Sequence, residues 1–178
     1  MRIIAGARRG HKLYDFEGRD IRPTTDRVKE SMFNLIQDFI PGSCVLDLFA
    51  GSGALCFEAL SRGAKNGVCV DKDAKSVDVI KKNNASLAFS NLEIKNCDAI
   101  TFLDNTKKEF SVIFLDPPYN KGFIAPIIQK IMEKNVLTNS GIIVLESDFS
   151  DEHGEFEGLL KFKQKKYGRS YVTVYKRG

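Results

Sequence analysis

Asp116, Pro117, Pro118 and Tyr119 follow directly on the apolar run Ser111-Val112-Ile113-Phe114-Leu115. Each proline lacks an N–H, fixes its own φ and pushes the preceding residue out of the helical region. A strand that meets this pair must stop and continue as a stiff extended turn. Its end then projects a carboxylate, proline-flanked carbonyls and an aromatic ring. In an open α/β sheet that is the end where ligands bind. Acceptors beside a flat ring suit a planar base bearing an exocyclic amino group. Asp116 and the Pro117 carbonyl can accept both amino hydrogens, which aims the nitrogen lone pair at an electrophile. Tyr119 can stack on the base, a contact worth about 1–3 kcal/mol. Alone, the tetrapeptide is almost as well read as a proline turn with a capping aspartate, so the earlier strand ends decide.

The segment Val45-Leu46-Asp47-Leu48-Phe49-Ala50-Gly51-Ser52-Gly53-Ala54 reads as strand, glycine turn and helix. Gly51 and Gly53 admit positive φ and close approach of a ligand, and the helix start presents free N–H groups. A dinucleotide fingerprint would place Gly or Ala three positions after Gly53, where this chain has Cys56. Asp47, in the strand end, would repel a pyrophosphate and attract an ammonium or sulfonium. That sign points to S-adenosylmethionine rather than NAD. Asp71, 24 positions after Asp47 at the next strand end, suits a ribose hydroxyl pair. Asn96-Cys97-Asp98-Ala99 closes a third strand, where a side chain and a backbone N–H can address an adenine edge. The expected cofactor contacts are Asp47, Ala50, Gly51, Gly53, Asp71, Lys72, Asp98 and Ala99. The expected catalytic set is Asp116, Pro117, Pro118 and Tyr119. Acids at successive strand ends favour a site over a scatter of loop caps.

Alternating strands and helices must carry these residues. Strands are expected at Cys44–Leu48, Val68–Asp71, Leu92–Asn96, Val112–Leu115 and Ile142–Leu145, the last opened by Gly141. A helix from Ala54 to Arg62 ends at Gly63. Another, capped by Asp73, runs to about Ala88 with Val77, Ile80, Asn84 and Leu87 on one face. Phe123, Ile124, Ile127, Ile128 and Ile131 mark a further helix, with Pro126 near its start. Continuous apolar runs separated by helices indicate a parallel sheet covered on both faces. Lys161–Lys166 and Ser170–Tyr175 flank Tyr167-Gly168-Arg169 as a β-hairpin. Arg2–Ala5 and Lys12–Tyr14 are short β-like pieces around Gly6 to Gly10. Thr24, Thr25 and Asp26 offer caps to a helix bearing Val28, Met32, Leu35, Ile36 and Phe39, stopped by Pro41-Gly42.

A chain of 178 residues fits one domain with a small appendage. No apolar stretch is long enough to span a bilayer, and the start is too short for a signal peptide, so a cytoplasmic location is expected. Cys44, Cys56, Cys69 and Cys97 form no Cys-x-x-Cys pair, and only His11 and His153 accompany them. No metal site is expected, and the cysteines read as small buried hydrophobes. The net charge is +4, unevenly spread. Residues 1–12 and 161–178 carry Lys and Arg with no acid, which suggests a polyanionic partner.

Three stretches extend this pattern: Met1-Arg2-Ile3-Ile4-Ala5-Gly6 with Arg8, Gly10, Lys12 and Leu13; Arg22-Pro23-Thr24-Thr25-Asp26-Arg27-Val28-Lys29-Glu30; and Leu48 to Leu55 with Glu58-Ala59-Leu60-Ser61-Arg62. With Asp116 to Tyr119 they make the chain similar to the RsmD family over essentially its whole length. That family methylates the exocyclic N2 of guanine in small-subunit (16S) ribosomal RNA. One departure is Asp98, where some relatives carry Asn. The resemblance implies a Rossmann-like class I methyltransferase, a seven-stranded, mostly parallel α/β sheet with an antiparallel last strand. It also implies a small N-terminal β-hairpin extension over residues 1–23 that contacts RNA, followed by a methyltransferase domain over 24–178. Arg8, Arg9 and Lys12 on a flexible glycine loop would grip phosphates, and Arg22 and Arg27 would line the cleft. The implied partner is small-subunit ribosomal RNA, free or in an assembled 30S particle, and the implied state a monomer. The residues alone leave three rivals: an adenine-N6 methyltransferase, an NAD-dependent oxidoreductase, and a non-catalytic RNA-binding or ribosome assembly factor.

Overall fold

The computed structural model describes residues 1–16, 26–118, 122, 124–148 and 155–178. Tyr119 and Arg22 therefore lie outside the described residues, as do Phe123 and the Thr24-Thr25 caps. Seven strands form one sheet in the order β3-β2-β1-β4-β5-β7-β6. They are β1 (Cys44–Asp47), β2 (Asn66–Asp71), β3 (Leu92–Asn96), β4 (Phe110–Leu115), β5 (Leu137–Ser147), β6 (Leu159–Tyr167) and β7 (Ser170–Arg177). Strands β1 to β5 pair in parallel, and β7 runs antiparallel between β5 and β6. The chain winds outward from β1 through β2 to β3, then returns to lay β4 on the other side of β1. The reversal makes the β1/β4 boundary the topological switch point, where connections leave a crevice at the strand carboxyl ends.

Helices α1 (Asp26–Leu35), α2 (Ala54–Ser61) and α3 (Ala74–Leu87) cover one face, and α4 (Ala99–Asn105) and α5 (Ile124–Glu133) the other. Side chains alternate between two apolar clusters along each central strand. In β4, Val112 and Phe114 face the α1–α3 layer while Ile113 and Leu115 face α4 and α5. All four are at most 1% exposed, which is why the strand reads as an unbroken apolar run.

Several boundaries differ from expectation. Strand β5 starts at Leu137 rather than Gly141. A register irregularity lies between the Phe110 and Val112 pairings, and a Cβ at Gly141 would fall 2.6 Å from Leu137, so the glycine relieves crowding inside the strand. On α3 the buried amide belongs to Asn83, 1% exposed, and not to Asn84. Helix α4 was not expected at all, because its seven residues are too few for the apolar period to stand out. The N-terminal pieces meet through one antiparallel bridge, Arg2 with Lys12. Ile3 and Leu13 nevertheless sit in the same apolar cluster as α1 and α2. No helix among the described residues is long and apolar enough to cross a membrane.

Candidate active site

The crevice forms because each strand end is terminated by something that stops the sheet. After β1 the chain turns through Gly51 (φ 53°) and Gly53 (φ 80°). These two glycines serve different ends. A Cβ at Gly51 would meet nothing within 4 Å, and Gly51 lines the cleft. A Cβ at Gly53 would lie 2.7 Å from the Phe57 ring, so that position is set by packing as well as by φ. Cys56 is explained on the same terms. A Cβ at Gly67 of β2 would fall 2.5 Å from its Sγ. Here the glycine that lets helix and strand approach stands on the strand rather than on the helix.

Asp71 ties the turn together. Its Oδ2 accepts from Gly51 N–H at 2.8 Å and its Oδ1 from Asp73 N–H at 2.9 Å. Each oxygen keeps a lone pair for a further donor. Asn96 donates to the Asp71 and Lys72 carbonyls at 3.0 and 3.1 Å, which fixes the turn after β2. Asp98 caps α4: Oδ1 accepts from Thr101 N–H at 2.9 Å and Oδ2 from the Thr101 hydroxyl at 2.5 Å. The hydroxyl, then the amide, hold its carboxyl below the ordinary range. Its side chain is thus engaged locally, at the rim of the cleft. Ala99 opens α4 beside it.

These ends enclose a cleft of about 300 Å³. Among the described residues, Asp71, Asp73, Asp98 and Asp116 line it against one cation, Lys72. Such a lining opposes a pyrophosphate and fits a ligand of net positive charge. S-adenosylmethionine, with a sulfonium and an ammonium against one carboxylate, is such a ligand.

Asp47 stands apart from the other expected contacts. It is 1% exposed and not among the residues lining the cleft. Its Oδ1 has no hydrogen-bond partner among the described residues. Burial, and then the charge of Asp71, push its carboxyl up to about 7, against hydrogen bonds from the Phe49 and Cys56 amides. Asp47 therefore carries less of the site's negative charge than its sequence position suggests, and the exposed acids carry more. Ala50 is also buried, its N–H donating to the Val70 carbonyl at 3.1 Å.

Asp116 is half-buried and lines the cleft with Pro118, while Pro117 is buried. In the β1/β4 register Asp47 stands opposite Phe114, so Asp116 lies two residues beyond it, past the end of the sheet. Phe16, Phe49, Ser76, Ile100 and Ile127 also line the cleft and had not been expected there. Ser76 and Ile100 follow from their places in the first turns of α3 and α4. Phe16 carries no such signal, since only the path of the N-terminal segment brings it to the sheet. No group of His, Cys, Asp and Glu among the described residues is placed to hold a metal ion.

The basic loop is docked on the ends of α2 and α3. The Ala7 N–H donates to the Ser61 carbonyl at 2.8 Å and the Arg8 N–H to the Ser61 hydroxyl at 2.9 Å. A Cβ at Gly6 would sit 1.8 Å from that carbonyl, so the loop needs glycine to lie on the end of α2. Arg8 Nε reaches the Leu87 carbonyl at 2.9 Å. Arg9, Lys12 and Arg27 are exposed.

Comparison with known proteins agrees with this arrangement. The family model described as Conserved hypothetical protein 95 matches residues 1–176. The Bacillus subtilis protein YlbH, provisionally named an rRNA methyltransferase, is 39% identical over 182 residues, 99% of each chain. Ribosomal RNA small subunit methyltransferase D of Escherichia coli K12 is 36% identical over 148 residues, 83% of this chain and 75% of that protein. The solved structure of the Escherichia coli protein yhhF, provisionally named a methyltransferase, matches with a TM-score of 0.91 at 33% identity, covering 99% of this chain and 97% of that one. The chain belongs to the RsmD family, the family described as Conserved hypothetical protein 95.

Proposed function

We propose that this protein methylates the exocyclic amine of a base in small-subunit ribosomal RNA, guanine N2 being the atom the family resemblance favours. One observation carries the reading: a cleft at the β1/β4 switch point joins a glycine turn, a ring of carboxylates, and Asp116 with Pro118. When bound, S-adenosylmethionine supplies an electrophilic methyl on sulfur. Asp71 would take the ribose hydroxyls on its remaining lone pairs. Gly51 allows the ligand to lie against the backbone. Asp98 and Ala99 would border the adenine, and Lys72 the rim. Asp47, neutral for much of the time near pH 7, would support the turn from beneath rather than act as a counter-ion.

Asp116 and the Pro117 carbonyl would hold the two amino hydrogens, and Tyr119 would stack on the base. Orientation and exclusion of water are the main work. As the new N–C bond forms, the methyl–sulfur bond would break with a neutral thioether as leaving group, positive charge would grow on nitrogen, and Asp116 would take the departing proton. The base must be turned out of its stack to reach this depth. Arg8, Arg9, Lys12, Arg22 and Arg27 would hold phosphates, which position the RNA without reading sequence. We read the protein as a metal-free cytoplasmic monomer that accepts free RNA or an assembled 30S particle.

The test is radiolabelled methyl transfer onto ribosomal RNA, free and in subunits, with nucleoside analysis of the product. Label on guanine N2 is expected, and label on adenine N6 overturns that choice. Asp116→Ala should lose at least ~100-fold in turnover, the scale of a positioned proton acceptor, with S-adenosylmethionine affinity nearly unchanged. Unchanged turnover would remove Asp116 from the mechanism.

A further inference from the structure

Segment 8–16 runs antiparallel along α3, and each step of that path is held. Arg8 Nε meets the Leu87 carbonyl at 2.9 Å, at the end of α3. His11 Nε2 lies 2.7 Å from the Ser86 hydroxyl. Tyr14 N–H donates to Asn83 Oδ1 at 2.7 Å, and Asn83 Nδ2 donates back to the Tyr14 carbonyl at 3.0 Å. Lys82 Nζ lies 3.8 Å from the centre of the Tyr14 ring. Two residues further, Phe16 lines the cleft together with Ser76 from the first turn of α3. The basic loop thus sits at one end of α3 and the cofactor cleft at the other.

Asn83 links the two. It is 1% exposed, and its second amide hydrogen goes to the Ser52 carbonyl at 3.0 Å. Ser52 lies between Gly51 and Gly53 in the turn that borders the cleft. The surrounding groups, one N–H and two carbonyls, admit a single orientation of the amide. A buried side chain thus clamps the N-terminal segment and the glycine turn to each other, and neither can shift without unpairing it.

We propose that Asn83 is a positioning residue that couples RNA binding on the N-terminal segment to cofactor binding in the cleft. This rests on the reading above, in which the cleft takes S-adenosylmethionine and the basic loop takes RNA phosphates. RNA held by Arg8, Arg9 and Lys12 fixes the segment in its docked path. That fixes Tyr14, Asn83 and Ser52, and seats Phe16 at the cleft. Coupling of this kind is reciprocal: the cofactor must raise RNA affinity by the factor by which RNA raises cofactor affinity.

The experiment measures S-adenosylhomocysteine affinity by titration calorimetry, so that no methyl transfer intervenes, with and without a small-subunit ribosomal RNA fragment. Wild-type protein should bind the ligand about 5-fold or more tightly with RNA present, the lower end of ordinary coupling. In Asn83→Ala and Asn83→Ser that ratio should fall toward one. Serine keeps a polar group but is too short to span Tyr14 and Ser52. A purely structural asparagine would lower Tm and leave the ratio alone, so an unchanged ratio overturns the proposal, as does a wild-type ratio of one. If neither variant folds, hydrogen exchange on wild-type protein decides. S-adenosylhomocysteine should slow exchange at the Tyr14 amide and across residues 8–12, and no change there overturns the coupling. Wild-type protein that binds neither ligand refutes the functional reading itself, a result distinct from binding without coupling.

Discussion

Among the described residues, the buried carboxylates Glu58 and Asp47 are treated in opposite ways. Glu58, 0% exposed, sits where the N-terminal segment meets α1 and α2. Its Oε1 accepts from Ala5 N–H at 3.0 Å and Arg62 Nε at 2.7 Å, and its Oε2 from Ile4 N–H at 2.8 Å, with Lys29 Nζ 3.5 Å away. Lys29 donates in turn to the Arg2 carbonyl at 2.5 Å. Asp47, 1% exposed at the end of β1, has one oxygen with no partner among the described residues. Saturation marks the acid that fastens a segment. Incomplete satisfaction marks the acid under the candidate site, where buried polar groups with missing partners tend to be found.

Removing one partner from the saturated cluster should have the largest effect on stability. Glu58→Ala leaves Lys29 buried, uncompensated and already pushed down from its ordinary range by burial. Breaking such a pair costs about 3–5 kcal/mol, which urea denaturation would read directly. Replacing Glu58 and Lys29 together by Leu and Met should recover only the part of that loss due to the unpaired Lys29 charge, because the Ile4 and Ala5 N–H groups and Arg62 stay without their acceptor. Asp47→Asn removes no ion pair and should cost far less. Equal losses for the two single changes would abolish the distinction drawn between these acids.

The second consequence concerns pH. An acid whose folded pKa is raised binds more protons folded than unfolded. Stability therefore falls as pH rises from its unfolded value, near 3.8, through its folded value, about 7, and then levels off. The slope approaches ~1.4 kcal/mol per pH unit inside that window. Denaturation midpoints followed from pH 4 to pH 8 should show this decline in wild-type protein (pH range about that of the titration). Asp47→Asn should flatten it. A decline that survives in the variant would assign it to another group.

The parts of this architecture written locally were legible in the chain. The glycine turn, the acids at the ends of β1, β2 and β3, and the Asp116-Pro117-Pro118 stop each declare themselves by residue type and position. The alternation behind the two-faced burial of β4 shows as an unbroken apolar run. What stayed hidden depends on contacts between distant segments. Nothing near Glu58 announces that Ile4 and Ala5 will point their amides at it from more than 50 positions away. Asp47 looked like a charged cleft residue because sequence gives position along a strand but not depth. Cys56 looked like a broken fingerprint until Gly67 supplied the missing space from the neighbouring strand.

Asp98 sharpens the comparison from the exposed side. It lies on the rim of the same cleft, yet its two oxygens are engaged by Thr101 and its carboxyl is held down, the reverse of Asp47. An acid with a lowered folded pKa stabilises above its unfolded value and loses that contribution as pH falls through the folded one. Below about pH 4, the ordinary carboxylate range, its effect should therefore fade. Asp98→Ala should cost about 1 kcal/mol at neutral pH, the usual worth of an N-cap. Asp98→Asn, which keeps the acceptor for the Thr101 amide, should cost less and remove the acid dependence. The readout is the difference in unfolding free energy between each variant and wild type at pH 7 and at pH 3 (values near the ends of the titration, about those of an ordinary carboxylate). If the alanine variant loses as much at the lower pH as at the higher, the carboxylate charge is not what caps α4, and the pH sign assigned to Asp98 fails.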